Sequence, residues 1–249
     1  MENSLLNNHT NFILTPNTTI LKDVVSASAG VGSGIETFPL CDYVMQSVFL
    51  KMTGAQEQKM KIISWELASN NYEYRYYRFT QSRLGECSSY KDKREIYKDI
   101  VNQIQQNTSS TYKLTSIVKN RIRSNVSTSI EAIFSNTNLL IWAQKSYAEY
   151  LNIWNQISNS YFANDSNNLF TATNNDYSLK EMYENHLYKH RNKTAHNTHS
   201  YQQNLPTLKT LINVNYKHEN YFVYFAILIL IDNIFIELYK EYLKSLETI

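Results

Sequence analysis

The sequence predicts an all-α protein, an up-and-down helical bundle with additional helices on its N-terminal side. Helix breakers are scarce, since only 5 glycines and 3 prolines occur in 249 residues, and such a composition suits long helices. Apolar residues recur at helical spacing, as in the stripe Met60, Ile63 and Leu67, and no long segment alternates as a half-buried strand would. Because 43% of the residues are hydrophobic, the chain can bury a substantial core.

Residues 1–37 differ in composition from the rest and are expected to form a flexible N-terminal arm. They are rich in Asn, Thr and Ser and end in three closely spaced glycines, Gly30, Gly32 and Gly34, a composition typical of linkers. No Gly-Lys-Ser/Thr follows these glycines, so a phosphate-binding loop is not indicated. Residues 38–249 are predicted to form a single helical domain.

The first part of that domain is expected to contain two helices separated by Gly54, one ending near Lys51 and the other running from Ala55 to about Leu84. The second helix includes Tyr72 to Arg78, where tyrosines alternate with arginines. Such a mixture can stack bases and hold phosphates, so Arg75 and Arg78 are candidate RNA contacts. The alternative, which the helical spacing favours, is that the tyrosines pack in the core and the arginines are solvated.

The bulk properties of the chain exclude few classes of protein, but they indicate the cellular compartment in which it is expected. The formal charge is +2, which is too small to indicate a large duplex footprint. Two cysteines cannot form a disulfide framework, and no secretory signal is recognisable, so a cytoplasmic protein is expected. The longest apolar run, Phe222 to Ile231, is shorter than the ~20 residues that cross a bilayer. A buried core helix is therefore predicted there, and no membrane partner.

Histidines cluster strongly in one part of the chain. Five of the six lie between residues 180 and 220: His186, His190, His196, His199 and His218. His186 and His190 share a helix face, but Leu187 stands where a HExxH zinc enzyme has its glutamate. No cysteine lies nearby, so neither a metal nor another cofactor is predicted.

Arg191 and His196 together suggest chemistry on RNA. A ribose 2′-hydroxyl that attacks the adjacent phosphate needs an acid or base of pKa near 7, which His196 supplies, and a cation beside the phosphate, which Arg191 supplies. The two residues lie between a helix that Ser178 and Glu181 begin in capping-box form and the apolar last helix. Their spacing alone is a weak signal, whereas this context adds specificity.

In that context, Arg191-Asn192-Lys193-Thr194-Ala195-His196 resembles the signature of the HEPN superfamily (higher eukaryotes and prokaryotes nucleotide-binding). That signature is an arginine, four to six residues and a histidine, usually with a polar residue after the arginine. The resemblance is specific over about residues 178–246 and only architectural over 38–162. It implies a dimerising helical bundle with a composite site, and in many members a metal-independent endoribonuclease of toxin–antitoxin or antiphage systems.

By this resemblance, His196 would be the general acid or base, Arg191 would hold the scissile phosphate and Asn192 would support them. Lys193 and His199 are weaker candidates for RNA contacts. RNA, a second copy of the chain, and an antitoxin or defence-system protein are the expected partners. One alternative is a catalytically inactive helical module that binds a nucleotide or a protein, because cations near a helix C-terminus are also favoured by the helix dipole.

Overall fold

The computed structural model is an all-α helical bundle, which confirms the predicted fold class. It describes residues 8–32, 34–173, 177–196 and 220–247. The helices, in chain order, are α1 (Asn8–Leu14), α2 (Thr18–Ala27), a 3-10 turn (Ile35–Thr37), α3 (Phe38–Asn70), α4 (Tyr72–Tyr76) with a π-helical turn (Tyr77–Gln81), α5 (Tyr90–Thr108), α6 (Ser116–Phe134), α7 (Asn138–Trp142), α8 (Gln144–Gln156), a 3-10 turn (Asn159–Tyr161), α9 (Leu179–Glu181) with a π-helical segment (Met182–Leu187), α10 (Tyr188–His196) and α11 (Tyr221–Leu246).

Helix α11 is the centre of the bundle. It packs against α3, α5, α6 and α8, and each residue from Phe222 to Ile231 is at most 3% exposed. The helix is long and apolar enough to span a membrane, but 89% of its most apolar window is buried within the protein. Contact on all sides explains why it is hydrophobic all round, and the predicted core helix is confirmed.

The predicted flexible arm over residues 1–37 is wrong for residues 8–27. These residues form α1 and α2, which pack on α3, and α1 also contacts α11. Ile13 and Leu21 are fully buried. A few well-placed apolar side chains therefore suffice to dock a segment whose overall composition is polar.

A buried ion pair fixes the turn between α1 and α2. Asp232 of α11 accepts a hydrogen bond from the backbone N–H of Asn17 at 2.8 Å. Its other carboxylate oxygen lies 2.5 Å from Nζ of Lys59, which also donates to the carbonyl of Thr15 at 2.7 Å. Both charged side chains are 1% exposed, so the N-terminal segment supplies backbone partners to charges inside the core.

Helix α3 continues through Gly54, contrary to the predicted break. The glycine is exposed, and a Cβ added there would have no heavy atom within 4 Å. Phe49 and Met52 before it and Met60 after it are fully buried. Their packing outweighs the ~1 kcal/mol that a glycine costs in a helix interior. The break comes instead at Asn71, whose side chain caps α4.

Candidate functional site

The helical segment that carries the motif begins where the sequence predicts. Oγ of Ser178 accepts a hydrogen bond from the backbone N–H of Glu181 at 3.4 Å and so satisfies one of the free donors at the helix start. Helix α9, its π-helical segment and α10 follow without interruption. The segment is held on the bundle by four buried apolar side chains: Leu179, Met182, Tyr183 and Leu187.

Arg191 lies one turn after Leu187, and its guanidinium group points to α3. Nη2 is 2.9 Å from Oε1 of Glu57 and donates to Oε2 at 3.0 Å. Nη1 donates to Oδ1 of Asn192 at 3.0 Å. A guanidinium has five N–H donors, so these contacts fix its plane and leave other donors for a ligand. The Arg191 side chain is 22% exposed, which makes it accessible from solvent.

A cavity of about 10 Å³ lies beside Arg191 and is also lined by Lys93, Tyr183 and Ser88. Nζ of Lys93 donates to the carbonyl of Cys87 at 2.6 Å and lies 5.6 Å from the centre of the Tyr183 ring. The Tyr183 hydroxyl donates to the carbonyl of Ser88 at 2.7 Å. Because the cavity has room for about one water molecule, the space where a larger ligand meets Arg191 must be its solvent-facing side.

Burial changes the titration of the groups around this cavity. It lowers the pKa of Lys93 to about 8, although the carboxylate of Glu57 acts in the opposite direction. It also raises the pKa of Tyr183 well above its ordinary value. At neutral pH, Lys93 and Arg191 thus place two cations near two carboxylates, those of Glu57 and Asp92, both of which act on Lys93. An anion would therefore be attracted by the solvent-accessible guanidinium of Arg191 itself and not by a net positive charge of the cavity.

His190 belongs to the core rather than to a solvent-facing site. Its ring lies between the rings of Phe49, Tyr221 and Tyr224, with centroid separations of 5.4, 5.3 and 5.3 Å. Nε2 is 3.1 Å from the Tyr221 hydroxyl oxygen. Burial, and secondarily the charge of Lys193, lower the pKa of His190 to about 4. The ring is therefore neutral at pH 7 and serves in packing.

This environment predicts an acid-dependent loss of stability. Between pH 6.5, the ordinary pKa, and pH 4, the folded pKa, the unfolded chain binds a proton at His190 that the folded chain does not. Stability therefore falls as the pH is lowered through this window, by up to about 3 kcal/mol from this group. Urea unfolding of wild-type protein and His190→Phe at several pH values measures the contribution. Parallel pH profiles for the two proteins would contradict it.

The other predicted residues of the motif are only partly described. Lys193 is exposed on α10, where it is accessible to a ligand. His196 is the last residue of α10, and its side chain lies outside the described part of the structure, as does the whole of His199. The structure brings together Arg191 and Asn192 with a carboxylate and a lysine that sequence reasoning missed. Glu57 is 134 positions from Arg191, and no local pattern distinguishes Glu57 or Lys93 from surface residues.

The predicted RNA contact at Arg78 is contradicted by its burial. Arg78 is 5% exposed and donates from Nε and Nη2 to the two carboxylate oxygens of Asp99, each at 2.7 Å. Nη2 also donates to Glu95 at 3.1 Å. The guanidinium thus joins the π-helical turn to α5, because its planar set of N–H donors matches the two oxygens of one carboxylate. Arg75, in contrast, is exposed on α4.

The described residues offer a group suited to bind an anion: a partly exposed arginine oriented by an amide and a carboxylate, with the buried Lys93 and the carboxylate of Asp92 behind it. Within residues 8–32, 34–173, 177–196 and 220–247, no three His, Cys, Asp or Glu side chains are grouped so that they could hold a metal ion. Comparison with protein-family models, curated proteins and solved structures found no match for this chain.

Proposed function

We propose that this protein is a metal-independent endoribonuclease in which Arg191 binds the scissile phosphate and His196 transfers protons. The observation that carries the proposal is the Arg191 guanidinium, held by Glu57 and Asn192 at a solvent-accessible position on the helix that ends at His196. The all-α architecture and the resemblance of residues 191–196 to the HEPN signature support the same function.

The proposed reaction uses the RNA's own nucleophile. A base removes the proton of a ribose 2′-hydroxyl, whose oxygen bonds to the adjacent phosphorus while the bond to the 5′-oxygen breaks. The leaving oxygen takes a proton, and the products end in a 2′,3′-cyclic phosphate and a 5′-hydroxyl. Arg191 stabilises the additional negative charge on the phosphate oxygens during the displacement. Histidine suits the proton transfers because its ordinary pKa is near neutrality.

Helix geometry favours a site built from two copies of the chain. Positions 191 and 196 are five residues apart, so on a regular helix they are separated by about 140° around the axis and about 7.5 Å along it. Arg191 and His196 of one helix therefore do not share a face. Two motif helices that face each other across a twofold axis would bring an arginine of one copy to a histidine of the other.

In this proposal the protein acts as a homodimer on RNA in the cytoplasm, as a toxin or an antiphage effector. An antitoxin or another component of a defence system would restrain it. Lys193, which is exposed on the same helix, and His199 would contact the bound strand.

Incubation of the purified protein with single-stranded RNA in EDTA tests the proposal. We expect cleavage that persists without divalent metal and gives 2′,3′-cyclic phosphate ends, identified by mass spectrometry. His196→Ala should leave the RNA intact, while Tyr43→Ala, at a side chain that is 64% exposed on another helix, should cleave normally. Equal RNA survival with wild-type protein and His196→Ala would refute the proposed activity.

One observation favours a second candidate, an inactive module that binds a nucleotide or a protein partner. The charge of Arg191 is already compensated by Glu57, as in an ion pair that stabilises a bundle. Under this alternative, Arg191→Ala would abolish capture of a nucleotide, measured by calorimetry, in a protein that leaves all tested RNA intact.

A further inference from the structure

The segment from Tyr72 to Arg83 has an unusual surface. Its exposed aromatic and arginine side chains form what we call the 72–83 ridge, in which the aromatic members are 45–79% exposed. They are Tyr72, Arg75, Tyr76, Tyr77, Phe79 and Arg83. This exposure contradicts the interpretation of these tyrosines as core residues, since only Tyr74 of the tyrosines in the segment is buried, at 7% exposed. Large contiguous aromatic surfaces usually mark interaction sites.

The ridge is anchored from behind, which keeps its aromatic side chains in solvent. The hydroxyl of Tyr74 donates to Asp99 at 2.9 Å and lies 3.2 Å from Oγ of Ser64. Arg78 forms its bidentate pair with the same aspartate. Tyr74 and Arg78 lie four positions apart and therefore on one helix face. That face is fixed to α3 and α5, so Tyr72 and Tyr76 are directed away from it. Because their orientation is already set, these side chains need little reorganisation when a ligand binds.

The C-terminal end of the ridge is joined to the Arg191 site by a short connection. The chain runs from Arg83 directly to Ser88, which lines the cavity beside Arg191. Five residues span at most about 18 Å even when fully extended, so the end of the ridge is within that distance of the cavity wall. Both ends of this connection are held by polar contacts, since Nε of Arg83 donates to the carbonyl of Phe79 at 3.1 Å and the carbonyl of Ser88 accepts from Tyr183.

The charges of the ridge match an anionic ligand. Glu73 is the only carboxylate between residues 72 and 83, and since Glu73, Arg75 and Arg83 are all exposed, this surface carries two cations and one anion. Alternation of exposed aromatic rings and arginines is the arrangement with which proteins hold single strands, because bases stack on the rings and phosphates meet the cations. A double helix would not offer its base faces to such a surface.

We propose that the 72–83 ridge binds single-stranded RNA and leads the strand toward Arg191. This inference rests on the proposed function, because it assigns the ridge to the substrate of that site. The bases of a few nucleotides stack on Tyr72, Tyr76 and their aromatic neighbours, and Arg75 and Arg83 contact the backbone phosphates.

Binding of a fluorescein-labelled ten-nucleotide oligouridylate, followed by anisotropy, tests the inference. The protein carries His196→Ala so that the strand stays intact. We expect Tyr72→Ala/Tyr76→Ala to raise the Kd at least about tenfold, since each lost stacking contact weakens binding by such a factor. Arg75→Gln should weaken binding and reduce its salt dependence. Tyr43→Ala is the matched control for the loss of an exposed tyrosine and should bind as the parent does.

An unchanged Kd in the double variant would overturn the inference, and so would a changed oligomeric state with unchanged RNA affinity, which would make the ridge a protein interface. Circular dichroism shows whether each variant is folded.

Each of the two proposals can fail while the other stands. Ridge-dependent binding by a wild-type protein that cuts no RNA would refute only the proposed function. Normal cleavage with ridge-independent binding would refute only the present inference.

Discussion

Replacing Asp232 with alanine is expected to lower the free energy of unfolding by about 3–5 kcal/mol, because it leaves the ammonium group of Lys59 buried without its counter-charge. Both side chains are 1% exposed. Burial lowers the pKa of Lys59 and raises the pKa of Asp232, so each charge is costly unless the other is present. The backbone N–H of Asn17 loses its acceptor as well. Urea unfolding followed by circular dichroism measures the change.

A surface ion pair supplies the matched control. The side chains of Lys61 and Glu86 are 42% and 84% exposed, so Glu86→Ala should change stability far less than Asp232→Ala. The apolar double variant Lys59→Met/Asp232→Leu should recover part of the loss, since no unpaired charge remains. It should not recover all of it, because the backbone groups of Thr15 and Asn17 then have no partners. Equal midpoints for wild-type protein and Asp232→Ala would contradict the buried pair.

The same ion pair shows why the N-terminal helices could not be predicted. The hydrogen bond from Asn17 to Asp232 joins residues 215 positions apart, and no local pattern carries such a relation. The segment is also mostly polar, with few apolar side chains such as Ile13 and Leu21 to indicate a buried face. Composition therefore predicted a linker where tertiary contacts stabilise two short helices, which in isolation would be marginal.

Elements with strong local signals were predictable from the sequence. The cap at Ser178 and the uniform apolarity of Phe222 to Ile231 each reflect a single helix and its immediate surroundings. Arg78 illustrates the opposite case, because its partner Asp99 lies on another helix. The sequence offers an arginine among tyrosines, and only the packing of α4 against α5 shows that this arginine is buried while Arg75 is exposed.

The residues of the candidate site show the same difference between local and long-range information. Arg191 and Asn192 were identified by their place after a capped helix, which is local information. Glu57, which holds the guanidinium, and Lys93, whose burial lowers its pKa to about 8, come from α3 and α5. Their convergence depends on how three helices pack. The motif could therefore be predicted from the sequence, whereas the charges around it could not.

Arg191→Ala is expected to reduce RNA cleavage by about 10³-fold, the loss that follows removal of a group stabilising charge in a transition state. Arg191→Lys should recover only part of the activity, since an ammonium group retains the charge but not the planar fork that Glu57 and Asn192 orient. Glu57 also provides a control. Glu57→Gln keeps a hydrogen-bond acceptor for the guanidinium and removes its counter-charge, so it should lower KM for RNA without abolishing cleavage.

Mixing Arg191→Ala with His196→Ala then tests whether the site is shared between two copies. Each variant alone has little or no activity, but a mixed dimer contains one arrangement in which Arg191 of one copy meets His196 of the other. After unfolding and refolding of an equal mixture, half of the dimers are mixed and each has one intact site, so activity should return to about a quarter of the wild-type level. A mixture as inactive as its components, with mixed dimers demonstrated by mass spectrometry, would place both residues of each site in a single chain. Because positions 191 and 196 are about 140° apart on a regular helix, that result would require the helix to unwind before His196 during catalysis.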